Sequence, residues 1–232
     1  MNIAFFSDNF YPEISGITDS ITLLGQELVR RGHSVLFVVP RYAKRDYRVA
    51  WIQSEEHEYP KNLFVERMPS IRYPHSPTGQ SRIALPFGRS MPRIKKFVPD
   101  IIHTHSPFSA GLEALIASRR TRAPLAGTNH TPISEFIKYS PLHSRRFTKI
   151  VLRYFSWYYN HCKFVTAPCQ SLLTEMEENG FHRSNKPLSN PIDLEHFGPP
   201  KNETEKQELK KRFGFSPHTV LYTGPCSRKK NI

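Results

Sequence analysis

The sequence contains few cysteines and no long apolar run. Cys162, Cys169 and Cys226 are odd in number and lack Cys-x-x-Cys spacing, which disfavours both a disulfide framework and a zinc site. No apolar stretch reaches the roughly 18 to 20 residues that a membrane-spanning helix requires. The first residues also lack the basic lead and long apolar core of a secretory signal. We therefore expect a globular, cytoplasmic protein with reduced cysteines.

Several functional signatures are missing as well. The sequence has no Gly-x-Ser-x-Gly elbow, and its first loop lacks the three glycines of the dinucleotide fingerprint. It also has no RNA-recognition, KH or zinc-finger signature, so we expect no nucleic-acid partner. Because the sequence lacks this elbow and its cysteines lack a local nucleophile signature, a hydrolase triad is disfavoured.

Positive charge is abundant and unevenly distributed. The chain has 33 Lys and Arg against 20 Asp and Glu, a net charge of +13, of which residues 41–100 carry +6 and residues 101–160 carry +6. Such an excess attracts anions, whether nucleic acid, anionic lipid headgroups or phosphorylated sugars. Charge alone does not select among these partners.

Short apolar strands alternate with segments of helical periodicity along most of the chain. The predicted strands are 2–7, Val35–Val39, Leu63–Glu66, Ile101–Thr104, Leu125–Thr128 and Phe164–Ala167. The predicted helices are Ile17–Arg31, Arg93–Phe97, Gly111–Arg119, Ser144–Asn160 and Ser171–Asn179. This alternation predicts an α/β fold with a doubly wound parallel sheet, which is a Rossmann-like arrangement. Apart from Leu63–Glu66, residues 41–88 are too irregular to assign.

The composition changes near the end of the sequence. We predict one domain over residues 1–198 and a linker over residues 199–218 that contains an exposed helix, Lys201–Arg212. Residues 219–232 are interpreted as the beginning of a second, truncated domain. Its first strand is predicted at Val220–Thr223.

In a doubly wound sheet, ligands gather at the carboxyl ends of the strands. The loop after the first strand passes Ser15 and reaches Gly16 at the start of a helix, where unpaired N–H groups and the positive end of the helix dipole suit a phosphate. On this loop alone, an ordinary glycine turn is the simpler interpretation.

Histidines follow the fourth and fifth strands. His103 and His105 alternate to the same side of their strand, and His130 follows the next strand. A histidine at such a position can hydrogen-bond a sugar hydroxyl or assist proton transfer, because its pKa lies near neutrality. A core role is the simpler interpretation of His103, whereas function and structure are both open for His105. No carboxylate stands at ligand spacing beside them, so we expect no metal.

The helix predicted at Ser144–Asn160 is basic and amphipathic. Its basic face consists of Arg145, Arg146, Lys149 and Arg153, with Phe147, Ile150, Val151, Tyr154 and Tyr158 predicted to lie opposite. Such a helix can lie on an anionic membrane surface. A solvated charged face over an apolar face that packs on the core is the simpler alternative.

Taken in order, the motifs of this chain resemble those of family 4 retaining glycosyltransferases with the GT-B fold. The segments that match are Phe6-Ser7-Asp8 with Tyr11-Pro12 and Ser15-Gly16-Ile17, Arg31-Gly32-His33-Ser34-Val35, Asp100-Ile101-Ile102-His103-Thr104-His105, Thr128-Asn129-His130-Thr131, Val165-Thr166-Ala167-Pro168-Cys169 and Ser189-Asn190-Pro191-Ile192-Asp193-Leu194-Glu195-His196-Phe197. The resemblance covers essentially the whole chain and implies an N-terminal, acceptor-binding domain.

The resemblance also implies a reaction, namely metal-independent transfer of a sugar from a nucleotide sugar to a hydroxyl group with retention of configuration. His105 and His130 would then be catalytic, and Gly16 and Lys230 would bind the donor phosphates. Lys230 lies in a segment, Gly224–Asn231, that is similar to the family's Gly-Arg-Leu-x-x-Glu-Lys-Asn, with Pro225, Cys226 and Lys229 as departures. The glutamate pair that holds the donor sugar has no place in this chain, so we expect no activity from it alone.

Within the family, Ser15, Thr131, Glu135 and Tyr139 lie in segments similar to those of bacterial enzymes that glucosylate diacylglycerol. The resemblance assigns these four residues to the acceptor and adds a lipid acceptor and the inner face of the cell membrane as partners. No cofactor is expected beyond the nucleotide-sugar co-substrate. Two alternatives stay open, a non-catalytic acceptor- or membrane-binding module and one subunit of a split transferase completed by a separate donor-domain chain.

Overall fold

The computed structural model describes residues 1–52, 59–73, 79–137, 144–194, 197–216 and 218–222. The contacts within the chain divide it into two units, Met1–Pro191 and Ile192–Ile232. The first unit contains the sheet and all of the histidines discussed below.

The first unit alternates strands and helices. The strands are β1 (Asn2–Phe6), β2 (Ser34–Pro40), β3 (Leu63–Met68), β4 (Ser70–Arg72), β5 (Arg82–Ala84), β6 (Ile101–Thr104), β7 (Leu125–Thr128), β8 (Phe164–Ala167) and β9 (Asn185–Pro187). The helices are α1 (Gly16–Arg30), α2 (Lys44–Val49), α3 (Met91–Phe97), α4 (Ser109–Thr121), α5 (Ile133–Ile137), α6 (Arg145–Tyr159) and α7 (Gln170–Glu178).

Seven of these strands form one parallel sheet in the order β3-β2-β1-β6-β7-β8-β9. The predicted doubly wound α/β fold is therefore confirmed, with the predicted elements displaced by at most a few residues. In the region 41–88 the sequence predicted only the strand Leu63–Glu66, which corresponds to β3; the structure adds α2 and the antiparallel pair β4–β5. Both β4 and β5 are three residues long, which is too short for a periodic pattern to show.

Helices cover both faces of the sheet, and this explains why its central strands are almost continuously apolar. Successive residues of a strand point to opposite faces. Phe5 accordingly packs in one hydrophobic cluster with Ile21 of α1 and Phe37 of β2. Phe6 packs in the other cluster, on the side of α4 and α6. β1 and β2 therefore each contribute to two cores.

Two glycines permit close helix packing. A Cβ at Gly25 in α1 would lie 2.5 Å from the ring of Phe37. A Cβ at Gly111 in α4 would lie 2.1 Å from the carbonyl oxygen of Ser106 and 2.7 Å from the hydroxyl of Tyr158. The contact of Gly111 with Ser106 involves backbone, which cannot move aside as a side chain can. Helix α4 therefore requires glycine at position 111.

The close approach at Gly111 yields a prediction about stability. Gly111→Ala should lower the free energy of unfolding by about 1–3 kcal/mol, since the added methyl group overlaps the backbone of Ser106. Gly16→Ala is the matched control, because a Cβ at Gly16 meets no atom within 4 Å. Chemical denaturation measures both variants, and equal stability of the two would contradict this account of α4.

The second unit contains α8 (Glu203–Arg212), in the segment where the sequence predicts an exposed helix. Asn202 caps its first turn by accepting the N–H of Glu205 at 2.8 Å, and none of its residues is buried. The strand predicted at Val220–Thr223 is not formed over its described part, Val220–Tyr222. The sequence prediction was wrong here because an apolar run becomes a strand only when a neighbouring strand pairs with it.

Candidate active site

The candidate site lies at the carboxyl edge of the sheet, where the strand order reverses. β2 and later β3 extend to one side of β1, whereas β6 to β9 extend to the other. Such a reversal opens a crevice between the chain segments that leave the two central strands, and ligands of open α/β sheets bind there. His105 follows β6 directly at this point, and its N–H donates to the carbonyl of Phe6 at 2.8 Å.

The structure brings His105 and His130 together. The Nδ1 atom of His105 lies 3.1 Å from Nε2 of His130, and the two rings stack at an interplanar angle of 25°. His105 is buried, with 2% of its surface exposed, and His130 is half-buried. The two residues follow neighbouring parallel strands, β6 and β7, which explains their proximity.

His103 has a different environment. Its Nε2 lies 2.8 Å from Oγ1 of Thr128, which in turn lies 2.7 Å from Oγ1 of Thr166. Its ring lies against that of His105, with 4.2 Å between centroids. This histidine is therefore hydrogen-bonded within the sheet, in agreement with a core role.

All three histidines are held in the neutral form. Burial lowers the pKa of His103 to about 3, with the charge of His130 as a further cause. Burial also holds the pKa of His105 well below its usual value, and neighbouring His103 and His130 add to that shift. Burial lowers the pKa of His130 to about 4, against the opposing effect of the Asn190 side chain. Near neutral pH each ring therefore carries one proton.

Asp8, which the sequence analysis did not single out as a functional residue, organises the loop after β6. Its carboxylate accepts hydrogen bonds from the hydroxyls of Ser106 and Ser109 and from the N–H of Ala110, the last at 2.9 Å. Burial raises the pKa of Asp8, and these hydrogen bonds oppose part of that shift. Because Ser109 and Ala110 begin α4, Asp8 also places a carboxylate at the positive end of that helix. The sequence signal that could have identified Asp8 was its position just after the first strand, at the edge of the sheet where ligands bind.

The loop between β1 and α1 is anchored from several sides. Glu13 is buried, and its carboxylate accepts hydrogen bonds from Tyr42 at 3.0 Å and Ser81 at 2.8 Å. Gln80 donates to the carbonyl of Pro12 at 2.9 Å. These contacts fix the path of the chain into α1. The sequence did not reveal them, because Gln80 and Ser81 belong to the region that resisted assignment.

Ser15 and Gly16 mark the beginning of α1. The hydroxyl of Ser15 accepts the N–H of Thr18 at 3.1 Å and so caps the helix. Gly16 is exposed at the first helical position. The first N–H groups of a helix have no partner within the helix, so the N–H groups at the start of α1, before the capped Thr18, can bind a ligand. Ser15 therefore has a structural role as the cap of α1. Its role in binding the acceptor stays a prediction.

The remaining predicted residues are described only in part. The N–H of Thr131 donates to Oδ1 of Asn129 at 3.1 Å, close to His130 in the chain. Glu135 belongs to α5, but its side chain lies outside the described atoms. Tyr139 and Lys230 lie outside the described residues. Their predicted binding roles stay predictions.

The basic face of α6 is exposed as predicted, since Arg145, Arg146, Lys149 and Arg153 all point outward. Among the described residues, none of the four forms an ion pair. The predicted apolar face differs at one position, because Ile150 is 64% exposed. It shares the outer side of the helix with Trp157, which is 49% exposed. Buried Phe155, Tyr158 and Tyr159 determine which side of α6 faces the core.

Within the described residues, no three His, Cys, Asp or Glu side chains are grouped in a way that could hold a metal ion. Over the same ranges, none of the helices has both the length and the apolar character needed to cross a membrane.

The lowered histidine pKa values predict how stability changes with pH. In the unfolded chain the His130 side chain is protonated with its ordinary pKa of 6.5, whereas in the folded protein burial lowers the pKa of His130 to about 4. The stabilisation is therefore complete above pH 6.5 and is lost as pH falls toward 4. In His130→Gln the free energy of unfolding should change less between pH 7 and pH 4.5 than in the parent protein. Denaturant titrations at four pH values measure the two slopes, and identical slopes would contradict the buried neutral histidine.

Comparison with protein families gives one match over most of the chain. The model described as Glycosyltransferase Family 4 matches residues 14–196. A "GDP-mannose-dependent alpha-mannosyltransferase" of Corynebacterium glutamicum is 27% identical over 187 residues, which are 78% of this chain and 41% of that protein. An "Alpha-monoglucosyldiacylglycerol synthase" of Streptococcus pneumoniae is 25% identical over 100% of this chain and 50% of its own length. The chain thus spans about half the length of these relatives.

Solved structures agree on the fold. Sucrose-phosphate synthase from Thermosynechococcus elongatus superposes with a TM-score of 0.59 at 12% identity, over 93% of this chain and 53% of its own. HepE from Anabaena, solved in complex with UDP and glucose, gives a TM-score of 0.52 at 18% identity over 92% of this chain and 50% of its own. At such identities the likeness concerns architecture alone.

Proposed function

The chain belongs to Glycosyltransferase Family 4, and we propose that it forms the acceptor-side half of a sugar transferase. The proposed reaction moves a sugar from a nucleotide-sugar donor to an acceptor hydroxyl, with retention of configuration and without a metal or other cofactor. The observation that carries the proposal is the hydrogen-bonded pair His105–His130 at the switch point of the sheet. Neutral imidazoles at that position can orient a hydroxyl group without placing a charge beside it.

We propose that the donor diphosphate is met from two directions. Charge develops on the leaving phosphate oxygens during such a transfer and requires fixed donors or cations. The start of α1 at exposed Gly16 supplies N–H groups, and the open space around Gly16 permits a close approach. Lys230 is the cation proposed to contact the donor diphosphate from the side opposite Gly16. The name of the Corynebacterium relative, a GDP-mannose-dependent enzyme, supports a nucleotide sugar as donor.

We further propose a membrane lipid as the acceptor. The name of the Streptococcus relative, a monoglucosyldiacylglycerol synthase, supports this class of acceptor. The basic face of α6 adds physical support, because its four cations form no ion pairs within the described residues and lie beside exposed Ile150 and Trp157. Cations that lie on one helix face beside exposed apolar and aromatic side chains suit the headgroup region of an anionic bilayer. The proposed location is the inner face of the cell membrane.

Membrane association can be tested by sedimentation with vesicles. The protein should bind vesicles that contain phosphatidylglycerol more than neutral ones, and less as salt rises, because salt screens the attraction. Replacing Arg145, Arg146, Lys149 and Arg153 by Gln should abolish most of this preference. The matched control replaces Lys206, Lys210, Lys211 and Arg212 of α8, which removes the same charge from another exposed helix. Equal losses in both variants would reduce the effect to net charge and remove α6 as the docking surface.

Activity is expected only when both halves are present. The isolated chain should transfer no sugar, because it spans about half the length of its relatives and loss of even one fixed donor typically costs about a hundred- to a thousandfold in rate. Adding a separate donor-domain chain, such as the second half of the Streptococcus relative, should restore transfer of labelled sugar to diacylglycerol. His105→Ala and His130→Ala should each reduce that transfer by about a hundredfold or more.

His182→Ala is the control for these variants, because His182 is exposed and follows α7 rather than a strand of the site. Transfer by the isolated chain would contradict the half-enzyme proposal. Binding of lipid without transfer under any condition would instead favour a non-catalytic acceptor- or membrane-binding module.

A further inference from the structure

Helix α6 exposes a row of apolar side chains next to the side that packs on the core. Ile150, Tyr154 and Trp157 are spaced four and three residues apart, so they lie on one side of the helix. These three residues form the apolar row. Ile150 and Trp157 are exposed, and the rings of Tyr154 and Trp157 stack with 5.7 Å between their centroids. The core-facing side is a different one, defined by buried Phe155 and Tyr159.

The first part of α6 lies beyond the carboxyl edge of the sheet. The hydroxyl of Tyr158 lies 2.8 Å from Oγ1 of Thr104, the last residue of β6. One turn earlier in the helix, the hydroxyl of Tyr154 donates to the carbonyl of Pro107 at 2.6 Å, in the loop that leaves β6. The helix therefore leaves the sheet edge toward its own N-terminus, and residues 145–153 extend about two further turns in that direction. None of them is buried.

Phe108 lies where the apolar row reaches the candidate site. It directly follows Pro107, it is 50% exposed, and its ring lies edge-on against Phe155 with 5.5 Å between the centroids. Phe108 occupies the N-cap position of α4, where small polar residues are preferred, and its side chain makes no capping bond. The carboxylate of Asp8 provides the acceptor there instead. Capping of α4 therefore does not account for an aromatic ring three residues after His105.

Positive charge runs alongside the apolar row. Arg146, Lys149 and Arg153 recur at three- and four-residue spacing, and the last two each directly precede a member of the row. Consecutive residues of a helix are about 100° apart, so the two rows are neighbours on the surface of α6. An anionic bilayer has charged headgroups with apolar chains directly below them. The paired rows match both layers.

The site end of this surface has an unmade hydrogen bond. Nε2 of His105 is buried and has no hydrogen-bond partner among the described residues. Buried polar atoms normally have partners, so a ligand hydroxyl fits at this nitrogen. A hydroxyl can donate to a ring nitrogen or accept from it, so it suits either tautomer of His105. An apolar chain on the row and a hydroxyl at His105 are the two ends of one amphipathic ligand.

We propose that the apolar row and Phe108 hold an acyl chain of a lipid acceptor, along a path from the basic face of α6 to His105. This path rests on the proposed function in taking a membrane lipid as the acceptor, and it adds Phe108 as the residue that selects acceptors with a chain. The row is one side chain wide, which suits a single chain. A protein partner requires about 800 Å² on each surface, more than three side chains provide.

The two tryptophans of the chain report on this path separately. Trp51→Phe leaves Trp157 in the apolar row, whereas Trp157→Phe leaves Trp51, which is exposed and follows α2. Dihexanoylglycerol with a bromine atom at the end of each chain quenches the fluorescence of an indole that its chains touch. We expect saturable quenching of Trp157 and only weak, linear quenching of Trp51. Any other pattern, including saturable quenching of both or of neither, would overturn the proposed path.

Variants of Phe108 test its contact with the chain. Phe108→Ser should weaken the binding of dihexanoylglycerol about tenfold, because an aromatic ring no longer covers the chain. Phe108→Leu, which stays apolar, should keep most of the affinity. Phe87→Ser is the matched control, since Phe87 is exposed in the loop between β5 and α3, and it should bind as the parent protein does. Unchanged binding in Phe108→Ser would remove Phe108 from the path.

Sugar transfer separates this path from the proposed function. Transfer to diacylglycerol in the presence of a donor-domain chain, without quenching of Trp157, would overturn the path alone. Saturable quenching of Trp157 without transfer would leave the path standing and overturn the transferase proposal.

Discussion

The carboxylate of Asp8 joins the ends of the two central strands. It follows β1 and binds the loop that follows β6 through Ser106, while its contacts with Ser109 and Ala110 fix the beginning of α4. A carboxylate at a helix N-terminus is favoured both by the N–H groups and by the helix dipole. His105 lies directly before Ser106, so the position of its ring depends on this contact. The position of His130 then follows from the parallel pairing of β6 with β7.

The electrostatic character of the protein differs between its interior and its surface. The net charge is +13, yet the three histidines at the sheet edge are kept neutral by burial. The permanent cations of the basic face are exposed on α6. This separation permits long-range attraction of an anionic surface without placing charge beside the proposed reacting hydroxyl. Surface attraction and site chemistry can therefore be altered independently by substitution.

The sequence predicted the site in part, and the reasons for its successes and failures are physical. Strand alternation and parallel pairing place His105 and His130 at one edge, so their proximity could be predicted from two short apolar runs. The effect of Asn190 on His130 could not be predicted, because Asn190 lies about sixty residues beyond His130 in a segment with no periodic pattern. Ile150 was assigned to the wrong side of α6 because the helix is oriented by Phe155, Tyr158 and Tyr159, whose burial depends on the tertiary fold. Resemblance to a family located the motif that contains Asn190 but not its contact with Ser20.

The edge of the sheet at His105 and His130 is the proposed binding site of the acceptor hydroxyl. The most direct measurement is a titration of the 15N-labelled chain with a short-chain diacylglycerol, observed through ring resonances and backbone amides. If the acceptor binds there, the His105 and His130 ring signals and the amide of Thr131 should shift saturably, while the amides of α8 do not move. Shifts confined to α6, with the two histidine rings unaffected, would contradict an acceptor site and leave only surface docking.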